Sequence, residues 1–302
     1  MIMHPAVKLR HIRAFLDIAA EGSLSAVARR QGITQPALSR TLAELETLLA
    51  TPLFRREKRR LALTEQGALF RRHASIGLQA FEAGAAALHP GAPGSTIRVG
   101  VLPTAATRLF PRVALRFREI APETVLAIET GPHSYLVGLL REGAIDLMLG
   151  RMPVASEMAG LVFAHLYEEE ITLVARGDHP LRDEPVAQVL ARSPVLLPPA
   201  TAIIRRAVDD YLLTFNLAGL QPAFETVALP VGRAILLGSD AVWFISRGVV
   251  ADDLDRGDLC EISTGARFLS GAVGLTKRQG GPAVPGVDLL ERLTKESADG
   301  QG

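Results

Sequence analysis

One short stretch, Ser23 to Arg40, constrains what this chain can fold into more than any other. Ala26, Val27 and Ala28 are small enough to let two helices cross closely, and Gly32 supplies the backbone freedom of a tight interhelical turn. Thr34 is a favoured N-cap residue, and Pro36 falls in the first turn of the next helix, where its missing N–H costs nothing. Leu38, Leu42 and Leu45 then form a buried stripe, leaving Gln35, Ser39 and Arg40 on the exposed leading end. The pattern predicts a helix-turn-helix whose second helix meets base edges in a major groove. A plain helical hairpin in a globular core is the alternative. Agreement between cap, turn and polarity favours the groove-reading element.

The flanks extend this reading. Leu9, Ile12, Phe15, Leu16 and Ala19 repeat at helical spacing, so residues 8–21 form a first amphipathic helix. The second helix of the pair runs to about Leu49, and Pro52 ends it. Leu53 to Thr64 has apolar ends around a cationic middle, which predicts a two-stranded wing with Arg55 and Arg56 facing phosphate. From Thr64 to Leu88, Phe70, Ala74, Leu78, Phe81, Ala85 and Leu88 fall at spacings of three or four. That seam predicts a long linker helix serving a homodimer, although the same stripe would also suit packing on its own domain. His89 to Gly94, rich in Pro and Gly, breaks the helix.

Charge divides the chain at the same place. Residues 1–90 carry 13 Lys/Arg against 7 Asp/Glu, a net +6, and the other 212 carry 20 against 25, a net −5. A basic head on an acidic body suits a polyanion-binding module joined to another function. With 48% hydrophobic and 22% charged residues the chain has the composition of a globular protein. Cys260 is the single cysteine, which fits a reducing compartment, and no run of residues suggests a secretory leader or a membrane span. A cytoplasmic location and no membrane partner are expected.

Beyond Thr96 the pattern turns to β/α alternation. Apolar runs at 97–102, 125–129 and 145–149 alternate with helical stretches at about 105–120 and 133–142. Further strands are expected at 161–167, 171–175, 194–197, 223–227, 241–245, 259–262 and 272–276, with helices over 201–217, 230–238, 247–254 and 285–297. Such alternation predicts parallel sheets that bind ligands at the carboxyl ends of their strands.

Residues 8–64, with the Thr34-Gln35-Pro36-Ala37-Leu38-Ser39 core, Leu45-Glu46 and Leu53-Phe54-Arg55-Arg56, resemble the winged helix-turn-helix of LysR-type transcriptional regulators. One departure is Ala50, where that family usually has glycine, and this should alter the helix stop and not the function. The remainder resembles the family's effector-binding portion. The resemblance therefore implies an all-α winged helix-turn-helix domain (1–64) and a linker helix (65–91), then a two-lobed α/β domain like periplasmic solute-binding proteins (92–302). It places the two chain crossings between lobes near Leu166–Glu168 and Thr264–Phe268 and implies a homotetramer built as a dimer of dimers. Val99–Thr104, Leu147–Met152, Met158–Phe163 and Ala241–Val250 resemble the subgroup governing protocatechuate degradation and a related galactose-binding-protein regulator.

Site residues follow from geometry. Gln35 suits adenine, Arg40 suits guanine or phosphate, and Ser39 donates or accepts. Thr34, Pro36, Arg55 and Arg56 complete the DNA-facing set, and a two-fold dimer would read an interrupted palindrome. RNA polymerase is a further candidate partner. On the effector side Thr104, Gly131, Ser134, Thr201 and Ser246 all stand where strands end and helices begin, and N–H groups and hydroxyls there suit a small carboxylate. The resemblance brings those loops together across an interlobe cleft. Plain helix capping is the competing reading of each. His133 reads as a surface-loop residue more than a ligand, Arg205 and Arg206 as a second carboxylate clamp with at least one solvated, and Cys260 and Trp243 as core. No metal-ligand spacing or cofactor motif occurs.

Two rivals remain at this stage. A two-lobed enzyme would use carboxylates such as Asp146 or Asp240, yet no phosphate loop or nucleophile elbow accompanies them. A solute-binding protein serving transport would have no need of the amino-terminal helix pair.

Overall fold

The computed structural model describes residues 4–57, 60–87, 96–266, 268–281 and 284–299. The chain divides into two compact units, the first comprising residues up to Ala92 with 141–144 and 280–285, the second the remainder. Lys58, Arg59, Leu88, the expected linker at His89–Gly94 and Arg267 of the second crossing lie outside the described residues.

In the first unit α1 (Leu9–Glu21), α2 (Leu24–Gln31) and α3 (Gln35–Leu49) precede the strands β1 (Phe54–Glu57) and β2 (Arg60–Leu63) and the long helix α4 (Glu65–Ala87). Ser23 caps α2 by accepting the Ala26 N–H at 3.3 Å. Gly32 ends that helix at φ +66°, the left-handed conformation the turn demands. At the head of α3 the Thr34 carbonyl, not its side chain, accepts from Ala37 and Leu38. Phe15, Ile18, Val27, Leu38, Leu45 and Leu53 form the core, and the Phe15 ring lies 5.4 Å from Phe54 and 5.0 Å from Phe70. Ala50 takes the place of the usual glycine by adopting φ +51°, so α3 stops on schedule at a steric cost of about 1–2 kcal/mol. The wing is an antiparallel hairpin that pairs Phe54 with Leu63 and Arg56 with Leu61.

The seam on α4 splits into two parts. Phe70 and Ala74 pack into the unit's own core, whereas Phe81 is 70% exposed and Ala85 faces solvent.

The second unit runs β3 (Thr96–Val101), α5 (Pro103–Ala106), α6 (Leu109–Ile120), β4 (Val125–Glu129), α7 (His133–Glu142), β5 (Leu147–Arg151), β6 (Leu161–Arg176), α8 (Val186–Arg192) and β7 (Val195–Leu197). It continues with α9 (Arg205–Thr214), β8 (Phe224–Glu225), α10 (Leu229–Leu237), β9 (Val242–Ser246), α11 (Arg247–Arg256), β10 (Leu259–Ile262), β11 (Ser270–Arg278) and α12 (Val287–Asp299). The sheet order is β4-β3-β5-β11-β6-β9-β7-β8, with β10 also on β6. β3, β4 and β5 pair in parallel in one lobe, and β7, β8 and β9 in the other.

Four expectations need correction. The sheets are mixed, because β6 and β11 run antiparallel to their neighbours. The separate strands expected at 161–167 and 171–175 are one strand, Leu161–Arg176, which carries the first crossing straight from lobe to lobe. The helix expected over 105–120 is two, because the Pro111 ring excludes the carbonyl of residue 107 and sits only in a first turn. Residues 201–204 form turns before α9, and α8 was not anticipated, its seven residues being too few to show periodicity between Pro185 and Pro194.

Candidate DNA interface and effector cavity

The first turns of α3 present a continuous polar face. Thr34, Gln35, Pro36, Ser39 and Arg40 are all exposed, while Leu38 between them is buried. Ser25 on α2 donates its hydroxyl to Gln35 Oε1 at 3.0 Å and so orients the amide. Sequence reading missed Ser25, which is in α2 while its partner opens α3. Glu46 joins this helix to the wing: its Oε1 accepts the backbone N–H of Leu53 at 2.7 Å and of Phe54 at 3.1 Å. Arg55 and Arg56 are exposed on β1, but consecutive strand residues point to opposite faces, so they address different surfaces of the hairpin.

In the second unit four strand ends converge on a cavity of about 320 Å³. Thr104, Gly131, Thr201 and Ser246 all line it, among apolar walls that include Leu102, Ile203 and Val249. Ser134 differs: it is exposed on the first turn of α7 and is not part of this lining. His133 takes its place there, only 5% exposed, with Nδ1 3.2 Å from Glu157. Burial pulls this imidazole below its ordinary pKa despite the carboxylate beside it. The surface-loop reading of His133 is therefore corrected. Arg206 is solvated, whereas Arg205 is tied to Asp209, Glu225 and the Pro198 carbonyl and is no clamp for a ligand.

Ser246 sits at the N-cap of α11, yet its hydroxyl makes no capping hydrogen bond. It accepts from Arg151 Nη2 at 3.0 Å and meets Thr104 Oγ1 at 3.5 Å. The first turn of α11 is instead satisfied by Glu169, whose Oε1 accepts the Gly248 N–H at 2.6 Å. Arg151 is 5% exposed, and its Nη1 donates to the Gly271 carbonyl at 3.2 Å. Burial lowers the Arg151 pKa from its ordinary value and raises that of Glu169. A guanidinium ending the apolar strand Leu147–Gly150 was the one hint of this group in the sequence.

The carboxylates that a catalytic reading would use are structural. Asp146 Oδ2 accepts the Arg98 N–H at 2.8 Å, and Asp240 pairs with Arg176 at 2.8 Å. The Cys260 thiol, pushed up by burial, donates to the Arg176 carbonyl, and Trp243 is fully buried. Among the described residues no helix is long and apolar enough to cross a membrane.

Residues 9–68 match the profile of the bacterial regulatory helix-turn-helix protein, lysR family, and residues 90–299 match the LysR substrate binding domain. The chain belongs to the LysR family: it is a DNA-binding transcriptional regulator with an effector-binding domain, and not an enzyme. The HTH-type transcriptional regulator PcaQ of Agrobacterium fabrum is 35% identical over 297 residues, covering 97% of this chain and 95% of its own. The uncharacterized HTH-type transcriptional regulator YdcI of Escherichia coli is 32% identical over 295 residues, 96% of each chain. The likeness to PcaQ agrees with the subgroup that the four segments resemble. A full-length OxyR variant from Pseudomonas aeruginosa shares the fold, with a TM-score of 0.70 at 21% identity over 98% of this chain and 95% of its own.

Proposed function

We propose that this regulator reads an interrupted palindrome and is switched by a small carboxylate held between its two lobes. Residues 1–64 act as the DNA-binding domain, 65–91 as the linker helix and 92–302 as the effector domain of a cytoplasmic protein. Thr34, Gln35, Pro36, Ser39 and Arg40 enter the major groove, while Arg55 and Arg56 hold phosphate or the minor groove. The solvent-facing half of α4 around Phe81 supports a homodimer along that helix, two of which would form the tetramer.

The convergence of Thr104, Gly131, Thr201 and Ser246 on one cavity carries the effector reading. Its walls suit an apolar body, and its hydroxyls suit a carboxylate, with Ser134 at the start of α7 as an outer contact. A ligand shifts the lobes only by binding one arrangement better than another. Thermal denaturation of the full-length protein against small aromatic acids, their amides and neutral sugars tests this. A bound acid at about a hundred times its Kd should add about 2.7 kcal/mol of stability. Stabilisation by neutral sugars alone would overturn the carboxylate reading.

A further inference from the structure

The hydroxyl pair under the cavity can be counted proton by proton. Ser246 and Thr104 together own two hydroxyl protons, and their mutual contact at 3.5 Å uses at most one. A guanidinium can only donate, so Arg151 Nη2 occupies a lone pair of Ser246 and consumes neither proton. Whichever hydroxyl donates to the other, at least one proton is left over among the described residues, and both residues border the cavity. A relay that begins on a cation ends on a donor. What completes it from the cavity side is an acceptor, best a negative one.

Other contacts fix where Arg151 and Ser246 stand. Its Nε is buried without a hydrogen-bond partner among the described residues, so the guanidinium is placed by its two Nη groups and not by full satisfaction of its own donors. Gly271 makes the room: a Cβ there would stand 2.7 Å from Nη1. Glu169, the nearby buried carboxylate, accepts the Gly248 N–H and takes over the capping that Ser246 would otherwise perform. Ser246 is thereby free to face Arg151 and the ligand. β5, which ends on Arg151, belongs to the first lobe and Ser246 to the second, so the relay spans both.

We infer that Arg151 is the positioning residue that sets the effector's charge: it orients the Ser246–Thr104 pair so that their spare proton meets the ligand and makes the cavity prefer a carboxylate to its neutral amide. This rests on the carboxylate reading above and adds a residue outside the cavity lining as the source of its selectivity. The test is calorimetric titration of the full-length protein with benzoate and benzamide, isosteric probes that differ in charge. In wild type benzoate should bind more tightly. In Arg151→Gln, which retains an N–H donor without charge, the benzoate-to-benzamide preference should fall by at least about tenfold while benzamide affinity holds. Ser246→Ala should lose the same preference, and Arg151→Gln should then add little to it. Equal weakening of both probes in Arg151→Gln, or an unchanged preference in either variant, overturns the role of Arg151. Should Arg151→Gln lose its cooperative unfolding, Ser246→Ala alone decides the matter. A wild type that binds benzamide as tightly as benzoate, or that is stabilised by none of the small acids in the series above, overturns the carboxylate reading itself.

Discussion

Replacing Glu46 by alanine should cost the amino-terminal unit about 3 kcal/mol. One carboxylate oxygen accepts two backbone donors, Leu53 N–H at 2.7 Å and Phe54 N–H at 3.1 Å, where the chain leaves α3 for β1. Leu53 is 2% exposed, so its backbone is poorly placed to find water instead. A hydrogen bond to a charged group contributes roughly 1.5–3 kcal/mol, and Glu46 is only half-buried, so the lower figure applies to each. Glu46→Gln keeps an acceptor oxygen and should lose only about 1 kcal/mol. The two units can be followed separately, because Trp243 is the single tryptophan and lies in the second. In urea, far-ultraviolet circular dichroism should therefore show a transition that Glu46→Ala shifts, while Trp243 fluorescence stays where it was. Arg55 and Arg56 follow this anchor directly, so affinity should fall for specific and random duplex alike. A dichroism shift of less than about 1 kcal/mol, or a Trp243 transition that moves as far, would refute the reasoning.

Three further outcomes follow from the geometry. Ala50→Gly relieves a left-handed alanine and should raise the stability of the same unit by about 1 kcal/mol, and an unchanged dichroism midpoint would show that no strain is stored there. Gln35→Ala should relax base preference at one position of the target site, whereas Arg55→Ala should weaken all duplexes and reduce the salt slope by about 1. Equal losses on specific and random DNA for Gln35→Ala would remove it as a reader. His133 has its pKa lowered by burial, so the unfolded chain takes up this proton first as pH falls. The stability it contributes is full above about pH 6.5 and declines below it, by at most about 1.4 kcal/mol per pH unit. His133→Gln should flatten that decline in Trp243-monitored unfolding between about pH 6.5 and 5, and an identical slope would show that the imidazole titrates normally.

What could be read from the sequence was whatever short-range chemistry encodes. The turn at Gly32 and the order Thr34, Gln35, Leu38 depend on neighbours a few residues away, and both stand as expected in the structure, whereas the altered helix stop expected at Ala50 does not occur, because that alanine takes up the left-handed backbone itself. Thr104, Gly131, Thr201 and Ser246 were legible for a related reason, since strand-to-helix junctions are local and the topology then gathers them. The fusion of two expected strands into β6 was not legible, because Tyr167 to Glu170 carries no apolar period and pairs with β11 about a hundred residues on. Nor was the relay. Arg151 reaches Ser246 across 95 residues and Glu169 reaches Gly248 across 79, and no spacing rule connects such partners. Ser246 shows the consequence most plainly. As a helix-initiating serine it reads as a cap, and its hydroxyl is released from capping only because a carboxylate from the crossing strand does that work. On the carboxylate reading proposed above, local sequence marks where an anion would approach, while the charge that would select it is supplied by the tertiary fold.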